Sequence, residues 1–152
     1  MSKHSAVHAT FTIERDLAAT PERVYQAFAD PAAKRKWFVG PSDWEGSPLK
    51  MDFRVGGKET VSGGPQKGPI HTYSSTFMDI VPNQRIVTCY EMHMDKVRIS
   101  VSVATLEFAS SGKGTKLKLT EQGVFLDGYD DAGSRERGTR GLLDQLEASL
   151  KA

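Results

Sequence analysis

Residues 97–122 read VRISVSVATLEFASSGKGTKLKLTEQ, and this stretch decides the fold class of the chain. Apolar residues occupy every second position at its start, at Val97, Ile99, Val101 and Val103, a spacing typical of a β-strand. Residues 110–114 are the serines, glycines and lysine of a hairpin loop, and leucines alternate again over 117–119. The stretch therefore predicts two antiparallel strands that are neighbours in one sheet.

The same pattern continues upstream as far as Trp44, with turn residues between short alternating segments. These predicted strands span 49–55, 58–62, 70–81 and 85–94, and a separate strand is predicted near the start of the chain over 11–17. Gly56-Gly57 and Pro82-Asn83 mark two of the turns between them. About six or seven strands follow one another with short connections, which favours an antiparallel sheet.

Helical signals stand on both sides of the strands. Thr20-Pro21 and Asp30-Pro31 each combine a capping side chain with a proline at the first helical position, so two short helices are predicted after the first strand. Asp130 or Asp131 begins a long C-terminal helix, and its apolar stripe consists of Leu142, Leu143, Leu146 and Leu150. Gly138 and Gly141 inside this helix either allow a close backbone approach or leave space beside it.

This order of elements predicts an α+β domain in which a curved antiparallel sheet wraps around the C-terminal helix. We expect a single domain over 1–152, with 1–8 as a flexible tail. A chain of this length is close to the commonest size of one domain.

Composition excludes several classes of function. The chain has 20 basic and 19 acidic residues and a net charge of +1, so neither a nucleic-acid partner nor membrane insertion is expected. Cys89 is the single cysteine and rules out an intramolecular disulfide, which suits a reducing compartment. We therefore expect a cytoplasmic protein.

The ordered set of segments resembles the helix-grip (SRPBCC) superfamily, which includes START domains, birch-pollen-allergen proteins and polyketide aromatase/cyclases. Its branch named after the activator of the ninety-kilodalton heat-shock protein's ATPase is the most similar. The segments that carry the resemblance are TPERVYQAF at 20–28, FRVGGK at 53–58, DIVPNQRIV at 79–87, LTEQG at 119–123 and GLLDQL at 141–146.

The resemblance implies a cavity between the sheet and the final helix. One position departs from the family pattern, because a tryptophan usually follows the glycine of that helix and Thr139 follows Gly138 here. A cavity is therefore expected beside the N-terminal half of the helix.

Motifs for metal and nucleophilic chemistry are missing from the sequence. No HxH, HExxH, CxxC or GxSxG spacing occurs, and we expect neither a metal site nor a cofactor. Glu121 continues the inward parity of Leu117 and Leu119, and Arg98 and Arg137 are its expected partners. Such a group is either a structural ion pair or a polar anchor for a ligand.

The candidate ligand-binding residues combine aromatic side chains, a few polar groups and the small residues of the final helix. They are Trp37, Phe53, Tyr73, Phe77, Tyr90, Met92, Arg98, Glu121, Phe125, Tyr129, Gly138, Thr139 and Leu142.

Three functions stay open on the sequence. The first is a protein that binds a small hydrophobic molecule, and the second is a cyclase- or hydrolase-like enzyme with Glu121 or His71 as its base. The third is a domain that regulates a chaperone or another protein partner. Nothing in the sequence distinguishes a monomer from a homodimer.

Overall fold

The structure is a computed structural model that describes residues 4–151. Its ten elements are β1 (Ala6–Leu17), α1 (Pro21–Ala29), α2 (Pro31–Arg35), β2 (Lys50–Met51), β3 (Lys58–Gly63), β4 (His71–Val81), β5 (Arg85–Met94), β6 (Val97–Ser111), β7 (Gly114–Leu126) and α3 (Ala132–Leu150). The seven strands form one antiparallel sheet in the order β1-β7-β6-β5-β4-β3-β2. The predicted α+β helix-grip architecture is confirmed.

The core lies between the inner face of this sheet and the helices. Leu143 and Leu146 of α3 belong to one buried cluster with residues of α1, β1, β6 and β7, in which α3 contacts β1 and α1. Aromatic rings fill the space beside α1, where Phe28 contacts Trp37 and Phe108 edge to face. Burial of these side chains supplies the main stabilisation of the fold.

The helix starts follow the local sequence signals. The Thr20 side chain accepts a hydrogen bond from the Arg23 N–H, and Asp30 caps α2 in the same manner through the Ala32 N–H. Asp131 caps α3 by accepting from the Ser134 N–H at 2.8 Å. Within residues 4–151, no helix combines the length and apolar character needed to cross a membrane.

Two strand boundaries differ from prediction. The strand predicted over 49–55 is reduced to β2, because Arg54 and Gly57 donate to the carbonyls of Asp52 and Arg54 and turn the chain. Strand β1 begins at Ala6, where it pairs with Leu126, instead of at residue 11. The predicted tail thus contributes residues 6–8 to the sheet, and its residues 1–3 lie outside the described part of the chain.

The inner face of β6 carries serines instead of valines. The register between β5 and β6 shifts at Met92/His93, so that Met92 lies opposite Ser100 and His93 opposite Arg98. Beyond this bulge Ser100 and Ser102 are buried, and Val101 is 42% exposed on the opposite face. The alternation that identified the strand therefore marks its outer face over these residues.

Two leucines of α3, Leu142 and Leu146, differ in how completely they are packed. Leu146 is completely buried in the core, and Leu142 is partly buried beside open space. We expect Leu146→Ala to lower the free energy of unfolding by about 2–5 kcal/mol, and Leu142→Ala to lower it clearly less. Urea unfolding of both variants measures the difference, and equal losses would contradict this packing.

Candidate functional site

A cavity of about 540 Å³ lies between the inner face of the sheet and the N-terminal half of α3. Strands β4, β5 and β6 form one wall, α3 forms another, and the chain from α2 to Trp44 closes one side. Much of the wall is aromatic, with Phe28, Trp37, Phe38, Trp44, Tyr73, Phe77 and Tyr90 contributing rings. The volume is within the range of pockets that hold small molecules.

Small residues of α3 leave this space open. Gly138 and Gly141 line the cavity, and a Cβ atom added to either would meet no atom within 4 Å. The two glycines therefore leave space beside the helix and do not serve a close backbone approach. Thr139, also on the cavity wall, turns its hydroxyl back to donate to the Arg135 carbonyl oxygen.

A buried carboxylate lies at one end of the cavity. Glu121 of β7 is 3% exposed, and its Oε2 accepts a hydrogen bond of 2.8 Å from the Tyr90 hydroxyl. Arg135 of α3 places Nη1 3.6 Å from the same Oε2 atom and donates to the Tyr90 hydroxyl at 3.0 Å. Three elements of the fold thus meet in one polar cluster.

Arg135 is held in place by further partners. Its Nη2 donates to Ser100 Oγ at 2.8 Å and to Asp130 Oδ2 at 3.0 Å. The guanidinium also lies over the Phe125 ring, 5.3 Å from its centroid, in a cation–π arrangement. The charge of Arg135 is therefore shared between two carboxylates, those of Glu121 and Asp130.

Burial changes the proton affinity of these groups. Desolvation raises the pKa of the Glu121 carboxyl above its usual value, although the Tyr90 hydrogen bond and the charge of Arg135 partly oppose it. Desolvation also raises the pKa of the Tyr90 and Tyr73 hydroxyls, so both phenols are protonated at neutral pH. A carboxyl with a raised pKa in a cavity is a candidate for proton transfer.

A second buried ion pair joins α2 to β3. Lys34 Nζ donates to Glu59 Oε1, and both side chains are almost completely buried. The Lys34 ammonium lies 4.6 Å from the centroid of the Phe38 ring and borders the cavity. Removal of either partner would leave an uncompensated charge in the interior.

Polar residues cross the inner face of the sheet in one row between these two pairs. Strand register places Glu59 opposite Ser75, Ser75 opposite Tyr90, and Tyr90 opposite Ser102. All four are buried, and within residues 4–151 Glu59 Oε2, Ser75 Oγ and Ser102 Oγ have no hydrogen-bond partner. This face of the sheet is therefore more polar than a packed core requires.

Most of the sequence-predicted residues meet at the cavity. The wall includes Trp37, Tyr73, Phe77, Tyr90, Met92, Glu121, Gly138, Thr139 and Leu142. The other four lie elsewhere. Phe53 packs on Tyr25 and Phe77, Phe125 lies beneath Arg135, and Tyr129 is 49% exposed.

The expected partners of Glu121 are wrong. Arg98 is exposed and donates to Glu91 at 3.0 Å, because the bulge in β6 turns it away from the cavity. Arg137 lies on the exposed side of α3, where it donates to Ser134. Arg135, two residues earlier on the same helix, makes the contact instead.

Sequence reasoning also missed Lys34, Glu59 and Ser100. A lysine and a glutamate 25 residues apart give no local signal of a buried pair.

His71, a suggested base, lines the cavity and stacks on Trp44 with ring centroids 5.2 Å apart. Within the described residues, no three His, Cys, Asp or Glu side chains converge to hold a metal ion.

Comparison with known sequences identifies the family. A sequence model described as "Activator of Hsp90 ATPase homolog 1-like protein" matches residues 18–151, which is most of the chain. The chain belongs to this family. The resemblance noted in the sequence is thereby confirmed.

Solved structures of other proteins share the fold over nearly the whole chain. An uncharacterised protein from Rhizobium leguminosarum is 45% identical, with a TM-score of 0.93 and 99% of each chain covered. The Mll3558 protein from Rhizobium loti is 47% identical, with a TM-score of 0.88, 95% of this chain and 99% of that chain covered. A search of curated proteins finds no match.

The pH dependence of stability tests the burial of Glu121 in this family member. The native state binds the Glu121 proton more tightly than the unfolded chain does, so ionisation of this group destabilises the fold. The destabilisation is absent below the ordinary glutamate pKa of 4.5 and grows as the pH rises through the raised value. We expect Glu121→Gln to gain stability relative to the wild type as the pH rises from the ordinary glutamate pKa of 4.5 through the raised value.

Urea unfolding across this pH range measures the relative stability of the two proteins. If the stability of Glu121→Gln relative to the wild type fell as the pH rose, the expectation would be contradicted. Tyr90 and Arg135 would then stabilise the ionised carboxylate more than burial destabilises it.

Proposed function

We propose that the protein binds a small, largely apolar molecule in the cavity between the sheet and α3. The observation that carries the proposal is the cavity itself, about 540 Å³ of space with aromatic walls and one cluster of polar groups at its end. A concave apolar site with a few convergent polar groups is the usual form of a small-molecule pocket.

The size of the space argues against a simple packing defect. Protein interiors are close-packed, and voids larger than a water molecule are few. Each large apolar void weakens a core in proportion to its volume. A bound molecule would restore these contacts, and Gly138, Thr139 and Gly141 leave room for it.

The polar end of the ligand is proposed to lie at Glu121. Tyr90 and Tyr73 border the same region, with their ring centroids 4.8 Å apart. Arg135 takes the role that the sequence suggested for Arg98, but it acts by fixing Tyr90 and Ser100. The anchoring groups are thus pre-positioned by hydrogen bonds, which lowers the entropic cost of binding.

A second candidate function is supported by the raised pKa of Glu121. A carboxyl that faces a cavity and has a raised pKa could act as a general acid or base on a bound molecule. The enzyme and the binding protein differ in one respect: Glu121→Gln would abolish turnover in the first, and in the second it would change only the affinity for the polar end of the molecule.

Filling the cavity tests the proposed function. Thr139→Trp introduces the ring that the family resemblance leads one to expect, directly on the cavity wall. We expect the wild type to bind the neutral apolar dye Nile red, and the variant to bind it at least about tenfold more weakly. Fluorescence titration measures the affinity, and circular dichroism verifies that the variant is folded.

Ala148→Trp is the matched control, because Ala148 lies on the exposed side of the same helix. Its dye affinity should equal that of the wild type. Equal affinity of all three proteins would place the dye outside the cavity, and absence of binding to the wild type would refute the proposed function.

A further inference from the structure

We infer that the bound molecule carries a hydrogen-bond donor at its polar end, and that a hydrophobic amine fits the cavity better than the corresponding carboxylic acid. This inference rests on the proposed function and specifies the chemical class of its ligand. It follows from comparing the hydrogen-bonding groups of the cavity that already have a partner in the protein with those that do not.

The cation nearest to Glu121 already has several partners in the protein. Both terminal nitrogens of Arg135 donate to protein acceptors, namely the Tyr90 hydroxyl, Ser100 Oγ and Asp130 Oδ2. Its charge is balanced by Asp130 and by Glu121. A carboxylate on the ligand would compete with these two carboxylates for the single charge of the guanidinium.

The other cation on the cavity wall is engaged as well. Lys34 is paired with the buried carboxylate of Glu59 and rests on the Phe38 ring. A ligand carboxylate at Lys34 would compete with Glu59 and would leave that buried charge without its partner. Neither Lys34 nor Arg135 therefore offers an uncompensated positive charge.

Glu121 presents an acceptor with unused capacity. Its Oε2 accepts from Tyr90, and Ser102 is the other neutral side chain near enough to favour the ionised carboxyl. The Tyr90 hydroxyl already donates to Glu121 and accepts from Arg135, so it has no further proton to offer. An N–H or O–H group of a ligand is the complement of Oε1.

The charges around the site favour a cation over an anion. With Glu121 ionised, two carboxylates face one guanidinium in this cluster, and Lys34 and Glu59 cancel each other. A ligand carboxylate beside Glu121 would place two like charges together, which forces one of them to bind a proton. A ligand ammonium would neutralise Glu121 instead.

Aromatic rings strengthen this preference. The rings of Phe38, Tyr73 and Tyr90 form a row that leads to Glu121, with centroids 5.2 Å and 4.8 Å apart. Ring faces attract ammonium groups through their quadrupole and repel carboxylates. The same rings offer an apolar surface for the body of the molecule.

The test compares three compounds with one ring system and different polar ends: naphthylethylamine, naphthylethanol and naphthylacetic acid. At about pH 8 the amine is a cation and the acid an anion. We expect calorimetric titration of the wild type to give at least about tenfold tighter binding of the amine than of the acid, with the alcohol between them.

Variants assign the preference to Glu121. Glu121→Gln should weaken amine binding about tenfold and leave alcohol binding nearly unchanged. Glu91→Gln is the matched control, since Glu91 is a partly exposed carboxylate on β5 that pairs with Arg98. It should leave all three affinities at the wild-type values.

The pH profile gives a second readout, because amine binding should weaken as Glu121 takes up its proton on acidification. Asp130, Arg135, Lys34, Glu59, Tyr73, Tyr90 and His71 are the other charged or titratable groups around the cavity.

Two results would overturn the inference while the proposed function survives. One is an acid that binds the wild type as tightly as the amine, and the other is an amine preference that Glu121→Gln leaves intact. If neither the three compounds nor Nile red bind, the proposed function fails and the inference fails with it. Loss of folded structure in Glu121→Gln leaves the wild-type ranking as the deciding measurement.

Discussion

Glu121 is a carboxylate buried among aromatic rings, and its negative charge must be compensated by neighbouring groups. The rest of the site depends on this constraint. The compensation comes from Tyr90 on β5 and from Arg135 on α3. The N-terminal half of α3 is thereby tied to the sheet by polar contacts, and its C-terminal half is held by Leu143 and Leu146. Between these two attachments the helix presents the small residues Gly138, Thr139 and Gly141 to the cavity, which occupies that space.

The β-bulge in β6 is the second condition for the site. By shifting the register at Met92/His93, it turns Arg98 outward and buries Ile99. Ser100 and Ser102 face inward by ordinary alternation with Leu106 and Phe108, because the register with β7 is unbroken over these residues. Ser100 can then accept from Arg135, and Ser102 joins the buried polar row that extends to Glu59. A strand without the bulge would place Arg98 on the inner face. Bulges often re-aim side chains in this way next to functional sites.

The architecture could be predicted because its signals are local. Thr20, Asp30 and Asp131 cap their helices with side chains that lie within three residues of the groups they bind, and alternation reveals the strands. The inward direction of Glu121 followed from its parity with Leu117 and Leu119, since no register shift intervenes on β7.

The site could be predicted only in part, because its partners are set by tertiary geometry. Arg98 was expected beside Glu121, but the single extra residue of the bulge reverses the face on which it lies. Whether Arg135 or Arg137 faces Glu121 depends on the rotation of α3 about its axis. The leucine stripe does not extend to the N-terminal end of α3, so it does not predict the rotation there. Lysine and glutamate are usually surface residues. Lys34 and Glu59 are buried here because each compensates the charge of the other.

The central claim is that Glu121 receives the polar end of a molecule held between the sheet and α3. A crystal structure of the protein saturated with naphthylethylamine tests it most directly. The account predicts the ring system in the cavity against Tyr73 and Tyr90, with the amine nitrogen about 3 Å from Glu121 Oε1. A structure in which α3 closes onto the sheet and side chains fill the cavity, or in which the compound lies on the outer face, would contradict it.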